Sequence, residues 1–371
     1  MRIDQFKLEE FFAKYEFKVE YLLCSSDCES WTIEELLDLG PYYKEELNNL
    51  WLGYTESEGD LQLRKEISKI YTTIDEDNIL VFSGAEEGIF IFMNVFLNKG
   101  DHIIVQYPAY QSLFEIANSI GCEVSYWNMV VDKDWDLKIE DLRASIRSNT
   151  KAIILNFPHN PTGFIPDKEK YRKIVDLAEE HDIYLFSDEV YRYLEYKKKD
   201  RLPAACDIYE NALSLGVMSK TFGLAGLRIG WIASDDIELL DKLQSFKHYT
   251  TICNSAPSEY LATIALENKN YLIERNLEII GTNLELLDEF FEVYDEFFDW
   301  YRPKAGSIAF PKLKIDQNIE EFCLDLLDKE GVLLMPSTKY NYGKKHFRIG
   351  FGRINMPEAL EKLEKYMKGN F

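Results

Sequence analysis

The chain of 371 residues carries 42 basic and 65 acidic side chains, for a net charge of −23, and its apolar content of 46% is ordinary for a globular protein. Because a surface this acidic repels phosphate backbones, we expect no nucleic-acid partner. The chain has no apolar run of membrane-spanning length, and residues 1–5 have no basic-then-apolar pattern of a signal, so we expect a cytoplasmic protein with no membrane partner.

The six cysteines are scattered, and only Cys24 and Cys28 lie close together. No histidine pattern accompanies this pair. We therefore expect reduced, mostly buried thiols rather than a disulfide or a zinc site, and we predict no metal.

From about residue 101 to residue 234, short apolar runs alternate with polar segments of helical periodicity such as Lys168–Glu180. The runs, expected as strands, lie at 102–105, 152–155, 183–186, Ala212–Val217 and 229–233. This alternation predicts an α/β fold with a mostly parallel, doubly wound sheet covered on both faces. Ligands of such sheets bind at the loops beyond the carboxyl ends of the strands.

Beyond about residue 270 the pattern changes. We predict a long amphipathic helix at 271–294, a strand at 306–311, a helix at Ile319–Glu330 and strands at 332–335 and 346–350. These elements predict a smaller α/β unit that the N-terminal segment completes. The expected organisation is a large domain of residues 46–275 and a small domain of residues 1–45 plus 276–371.

Three polar segments follow predicted strands. The loop at residues 83–88 contains Gly84 and opens a helical segment, so its free N–H groups can hold a phosphate, although it lacks the lysine of a P-loop. Asn160 begins an Asn-Pro-Thr-Gly turn, which by itself predicts only a turn. Asp188 follows a buried strand and needs a cationic or N–H partner, and the segment is equally compatible with a helix cap.

The stretch from residue 214 to residue 231 reads as an apolar strand, a turn with Lys220, a loop punctuated by Gly223 and Gly226, and Arg228 at the start of another strand. Lysine is rarely framed so closely by core-type residues, which favours a reactive amine. Arg348 is also flanked by apolar residues. An arginine in this position is compatible with bidentate binding of a carboxylate ligand or with a salt bridge to an acidic residue.

Taken in order, these residues resemble the pyridoxal-phosphate-dependent aminotransferases of classes I and II, which have fold type I. The resemblance runs through Tyr54, Gly84, Tyr110, Asn160-Pro161-Thr162-Gly163, Asp188-Glu189-Val190-Tyr191, Ser219-Lys220, Arg228 and Arg348. It covers most of the chain. One of these elements is weak evidence, whereas eight in the same order are strong.

The resemblance implies a catalytic set of Lys220, Asp188 and Tyr191. Lys220 would form the Schiff base with pyridoxal 5'-phosphate and later move the proton at the substrate α-carbon. Asp188 would keep the pyridine nitrogen protonated. Asn160 and Tyr191 would hydrogen-bond the ring 3-oxygen, and Tyr110 would stack on the ring.

The resemblance also implies where the phosphate and the substrate are held. Arg228 and the backbone N–H groups of Gly84, Ala85 and Glu86 would hold the phosphate, and Ser219 belongs to the cofactor-binding set. Tyr54 would reach the same phosphate from the neighbouring subunit, which implies a homodimer with shared sites. Arg348, with Asn160, would bind the substrate α-carboxylate.

Two positions depart from the family pattern. Val217 stands where many relatives have a hydroxyl ligand of the phosphate, a role that Ser219 or Arg228 could take over. Glu86 places an acid beside the phosphate loop, so its side chain is expected to point away or to pair with a cation.

The activity implied is transfer of an amino group between an L-amino acid and a 2-oxo acid. A carbon–sulfur β-lyase or an amino-acid cyclase on the same cofactor is the nearest alternative. A cofactor-binding regulator and a non-catalytic homologue are further alternatives. No second arginine can be assigned to a side-chain carboxylate, so the particular amino acid stays open.

Overall fold

The computed structural model describes residues 3–131 and 134–371. Its helices are α1 Lys7–Tyr15, α2 Ile33–Leu37, α3 Tyr43–Asn48, α4 Leu61–Ser68, α5 Ala85–Phe96, α6 Ser112–Ile120, α7 Ile139–Ser145, α8 Lys168–Glu180, α9 Ile237–Lys247, α10 Ala256–Glu267, α11 Lys269–Val293, α12 Ile319–Glu330 and α13 Met356–Asn370. Its strands are β1 Ile79–Phe82, β2 His102–Tyr107, β3 Glu123–Asn128, β4 Thr150–Asn156, β5 Tyr184–Asp188, β6 Ala212–Val217, β7 Gly230–Ala233, β8 Phe298–Asp299, β9 Ile308–Ala309, β10 Lys312–Leu313, β11 Met335–Pro336 and β12 Phe347–Gly350. The predictions for residues 1–5 and for the small domain include residues 1 and 2, which lie outside the described residues.

Strands β1 to β7 form one sheet in the order β1-β7-β6-β5-β4-β2-β3. Strand β7 is antiparallel to both of its neighbours, and the other neighbouring pairs are parallel. The predicted α/β fold with a mostly parallel sheet is therefore confirmed. The reversed strand β7 follows directly after the loop that contains Lys220, so the chain folds back at this point.

Two apolar layers cover the sheet, one on each face. Along β4, Ala152 and Ile154 belong to one core cluster, while Ile153 and Leu155 belong to the other. This alternation follows from the two-residue period of a strand. Strands buried on both faces read as continuous apolar runs, and this is why the sequence revealed them.

Helix α8 illustrates how the covering helices are specified. The Asp167 side chain accepts a hydrogen bond from the Lys170 backbone N–H and so caps the helix. Tyr171, Ile174 and Val175 are buried on one stripe at helical spacing. The helix has the predicted bounds, because its cap and its apolar stripe are both local in sequence.

The C-terminal part holds a three-stranded sheet in the order β11-β12-β9, and α12 packs against α13. The strands predicted at 306–311 and 332–335 are shorter than expected, since only Ile308–Ala309 and Met335–Pro336 pair in this sheet. Val332 instead bridges Tyr21, and the Gly350 N–H donates to the Leu23 carbonyl at 2.9 Å. The N-terminal segment thus binds to this sheet. The division into domains at residues 46 and 276 stays a prediction.

In the described part of the chain, no helix combines the length and the apolar character that a membrane crossing requires. Cys24 and Cys28 are free thiols and fully buried. Burial raises the pKa of the Cys24 thiol to about 12, so this group is held in its protonated, unreactive form. Residues 3–131 and 134–371 contain no cluster of three or more potential His, Cys, Asp or Glu metal ligands.

Candidate functional site

A cavity of about 550 Å³ opens at the carboxyl ends of the parallel strands, between the sheet and the N-terminal segment. This is where ligands of open α/β sheets bind. Ten of the residues predicted for the site line it: Ala85, Glu86, Tyr110, Asn160, Asp188, Tyr191, Ser219, Lys220, Arg228 and Arg348. Residues that lie far apart in sequence therefore meet in one place.

Lys220 lies in the turn after β6 and reaches into this cavity. Its Nζ donates a hydrogen bond to the Ser26 hydroxyl at 2.8 Å. Burial lowers the pKa of the Lys220 ammonium, and the nearby Asp27 carboxylate opposes this shift. A lowered pKa increases the fraction of neutral amine, which is the nucleophilic form.

Asp188 is the last residue of β5 and is 5% exposed. The Val190 backbone N–H donates to its Oδ1 at 3.2 Å. Burial raises the pKa of the Asp188 carboxyl to about 7, since this one N–H does not replace the water that the carboxylate has lost. A bound group with a positively charged N–H would relieve this cost.

The N-terminus of α5 and Arg228 form a cationic corner of the cavity. Gly84 precedes the helix with φ of +90°, and a Cβ on it would lie 2.5 Å from Arg228 Nη2. A Cβ on Gly230 would lie 2.6 Å from the Ala85 backbone nitrogen. Gly84 is favoured by its positive φ, and Gly230 must be glycine because the backbone of Gly84 and Ala85 lies directly against it. The free N–H groups of the helix and the guanidinium together suit a phosphate.

The two departures from the family pattern also lie at this corner. The Ser112 hydroxyl donates to Glu86 Oε2 at 3.0 Å, so the acid pairs with a hydroxyl rather than with a cation. Burial raises the pKa of the Glu86 carboxyl to about 7. Val217 is buried and forms part of the cavity wall, where it offers no hydrogen bond.

Arg348 lies in β12, and its side chain is 1% exposed. Its Nε donates to the Cys24 carbonyl at 3.0 Å, and its Nη1 donates to the Tyr340 hydroxyl at 2.5 Å. Tyr340 in turn donates to Asn160 Oδ1 at 2.9 Å. Arg348 Nη2 is buried and has no hydrogen-bond partner among the described residues. A buried, unpaired guanidinium nitrogen on a cavity wall suits a carboxylate ligand.

The aromatic residues of the site are placed in different ways. Tyr110 lines the cavity, and its hydroxyl donates to Glu9 Oε1 at 2.7 Å. The buried Tyr191 hydroxyl makes no hydrogen bond within the described structure. Tyr54 is 83% exposed and does not line the cavity of its own chain.

The cavity also contains residues that the sequence motifs did not predict. Helix α1 contributes Leu8, Glu9 and Phe12, and Glu16 follows directly after it. Tyr340 is linked to both Arg348 and Asn160. The apolar stripe of α1 was readable as an amphipathic helix, but no pattern near Tyr340 pointed to this role.

The fold and the site define a protein of the aminotransferase type. The family model described as Aminotransferase class I and II matches residues 21–363. The chain therefore belongs to the class I and II aminotransferase family, whose members depend on pyridoxal phosphate.

Three similar proteins illustrate the range of this family. A PLP-dependent aminotransferase from Streptococcus suis 89-1591 is 32% identical, with a TM-score of 0.93 over 99% of this chain and 98% of that one. The PLP-dependent cyclase OrfR is 26% identical, with a TM-score of 0.91 over 100% and 99% of the two chains. Capreomycidine synthase of Streptomyces vinaceus is 27% identical over 93% of this chain and 88% of its own length.

The residues of the cavity fit pyridoxal phosphate. The cationic corner at Gly84 and Arg228 suits its phosphate, and the unpaired Tyr191 hydroxyl is a free hydrogen-bond donor. The Asp188 carboxyl forms no ion pair with any described residue, and Lys220 supplies an amine in the same cavity. The family and the donor set therefore agree on the cofactor.

Proposed function

We propose that the protein is an aminotransferase that moves an amino group between an L-amino acid and a 2-oxo acid. The observation that carries this proposal is the presence of Lys220, Asp188 and Arg348 on the wall of one cavity. These residues supply an amine, a carboxylate and a guanidinium, which are the groups that amino-acid chemistry on this cofactor needs. When bound, pyridoxal phosphate supplies an electron sink for the charge that develops at the substrate α-carbon.

Each of the three residues has one task in this proposal. Lys220 Nζ takes the proton from the substrate α-carbon and returns it, because its lowered pKa increases the fraction of neutral amine that can accept a proton. Asp188 holds a protonated ring nitrogen through its buried carboxylate. Arg348 Nη2 binds the α-carboxylate of the substrate, and Tyr340 holds the guanidinium in place through Nη1.

Two further residues orient the ligand. Tyr191 donates a hydrogen bond from its unpaired hydroxyl. Asn160 is held through its backbone and its side chain, because its backbone N–H donates to Asn156 Oδ1 at 2.7 Å and its side-chain Oδ1 accepts from Tyr340. Asn156 also donates from Nδ2 to the Asp188 carbonyl at 3.0 Å, so the ends of β4 and β5 are tied together.

We further propose that the active unit is a homodimer to which Tyr54 contributes across the interface. Trp51 and Leu52 are 78% and 77% exposed, and Tyr249 is 90% exposed. The Thr55 hydroxyl donates to the Asn254 carbonyl at 3.3 Å, so the two exposed segments adjoin. A group of large exposed apolar side chains is typical of a protein interface.

The test uses the holoenzyme with a panel of amino donors and a 2-oxo acid. We expect a visible absorbance band of the bound cofactor that changes with a suitable donor, and formation of the amino acid that corresponds to the oxo acid. Lys220→Ala should lose activity by several orders of magnitude, whereas the exposed Lys242→Ala serves as the matched control. Absence of a visible band with added cofactor, or full activity in Lys220→Ala, would contradict the proposal.

The similarity to the cyclase OrfR favours cyclisation of an amino acid as a second candidate function. The two activities differ in their need for an acceptor. A transaminase requires the 2-oxo acid, whereas a cyclase consumes its substrate without an acceptor and without amino transfer. Release of ammonia and pyruvate without an acceptor would instead identify a β-lyase.

A further inference from the structure

We propose that the preferred substrate is an amino acid whose side chain carries a positive charge, an ammonium or a guanidinium, and that Glu16 and Glu9 recognise it. This inference rests on the proposed function, since it concerns the side-chain end of the same cavity. It concerns binding alone and adds no chemical step.

The cationic groups of the cavity are all used by the cofactor or by the substrate backbone. Among the described residues, the lysines and arginines on the cavity wall are Lys220, Arg228 and Arg348. Lys220 supplies the amine that reacts with the cofactor, and Arg228 belongs to the cationic corner that suits the phosphate. The unpaired Nη2 of Arg348 binds the α-carboxylate of the substrate. No positive charge is left on the wall for a second carboxylate of the substrate.

Part of the cavity wall is acidic. Glu9, Glu16 and Asp27 line it, and all three come from the N-terminal segment. Asp27 is already neutralised, because Arg353 Nη2 lies 2.9 Å from its Oδ2. Arg353 itself does not line the cavity. Of the acids contributed by the N-terminal segment, Glu9 and Glu16 therefore remain available to a ligand, while Glu86 lies apart at the cationic corner.

Glu16 is the stronger of the two recognition residues. It is half-buried, and its carboxylate makes no hydrogen bond or ion pair with any described residue. Burial raises the pKa of Glu16, and the neighbouring Asp27 carboxylate adds to this rise, while Arg353 and Lys220 oppose it from beyond ion-pair distance. A substrate cation would remove both costs, since it would replace lost solvation and screen the two acids from each other. Glu9 contributes less, because its Oε1 already accepts from the Tyr110 hydroxyl.

The unpaired Arg348 nitrogen is the independent sign that a ligand belongs here. It is buried, it belongs to a residue that lines the same cavity, and in the proposed function it binds the substrate carboxylate. With that end of the substrate held, the side chain extends into a cavity of about 550 Å³ whose wall includes Glu9 and Glu16. A long cationic side chain gains an ion pair there, whereas a side-chain carboxylate is repelled.

The test compares two amino acids of the same shape that differ in charge. L-arginine and L-citrulline are titrated into the holoenzyme, with affinity read by calorimetry and by the visible absorbance of the cofactor, and L-lysine and L-norleucine form a second pair. We expect the cationic member of each pair to bind about tenfold more tightly, which corresponds to one charge-assisted hydrogen bond. Glu16→Gln should remove most of this preference and leave the affinity for citrulline unchanged.

Glu10→Gln is the matched control, because Glu10 lies on the same helix, is exposed and does not line the cavity. Equal affinity for arginine and citrulline in the unmodified protein would overturn the inference, and so would an equal loss of both affinities in Glu16→Gln. If Glu16→Gln does not fold, Glu9→Gln provides the same comparison with a smaller expected change. Absence of any visible band or any amino transfer would instead contradict the proposed function, so the two failures are distinguishable.

Discussion

Glu86 is an acid placed where the cofactor phosphate is expected, and replacing it by glutamine should stabilise the protein above neutral pH. Burial raises the pKa of this carboxyl from its ordinary value of 4.5 to about 7. The folded protein therefore holds a proton that the unfolded chain releases between these two values. Because the folded state binds more protons in this window, the contribution of Glu86 to the free energy of unfolding falls as pH rises from about 4.5 to 7. Above pH 7 this contribution is constant.

The magnitude follows from the same pKa. One unit of pKa corresponds to about 1.4 kcal/mol, so the ionised Glu86 carboxylate costs at most about 3 kcal/mol above pH 7. Glu86→Gln removes this cost and retains an oxygen that accepts the hydrogen bond from Ser112. We expect the variant to match the unmodified protein near pH 4.5 and to be more stable by up to about 3 kcal/mol at pH 8.

The assay is urea denaturation of the cofactor-free protein at pH 5, 6, 7 and 8. The exposed Glu10→Gln is the control, because Glu10 does not line the cavity. Asp188, whose carboxyl pKa is also raised to about 7, keeps part of the pH dependence in the variant. Identical pH profiles of Glu86→Gln and the unmodified protein, or a less stable variant at pH 8, would refute the reasoning.

Two further predictions concern the cavity. Asp188→Asn should lower kcat by orders of magnitude, which corresponds to roughly several kcal/mol of activation barrier, because an amide carries no charge to stabilise a positively charged ring nitrogen. Near-normal turnover would contradict the role assigned to Asp188. Tyr340→Phe should raise KM by about tenfold with little change in the cofactor absorbance, since it removes one hydrogen bond each to Arg348 and Asn160. An unchanged KM, or loss of the bound cofactor, would show that Tyr340 does not act through Arg348.

Much of the site was predictable because strand-following polar residues converge in a parallel sheet. Asp188 and Lys220 each follow a strand whose apolar run is local in sequence, and the carboxyl ends of neighbouring strands meet at one edge. The spacing did not reveal Tyr340, which is 180 residues away from its hydrogen-bond partner Asn160. Such a contact depends on how the two parts of the chain dock, and periodicity carries no information about that.

The surroundings of Glu86 were likewise not predictable from the sequence. Its position beside Gly84 was plain from the sequence, but its partner was not, because Ser112 lies 26 residues further along the chain in another helix. The burial that raises its pKa is likewise a property of the packed structure.

Apolar periodicity and ordered motifs are local properties, so they were enough to predict the class of fold, the family and the groups that carry the chemistry. The reversed direction of β7, the unpaired nitrogen of Arg348 and the place of Glu9 and Glu16 on the cavity wall appear only in the folded structure. They could not be predicted because solvation and charge pairing depend on all the groups that folding brings around a side chain. From the sequence, a single glutamate on an amphipathic helix is expected to be solvated, and its contact with a cavity becomes apparent only when the packing of the helix is known.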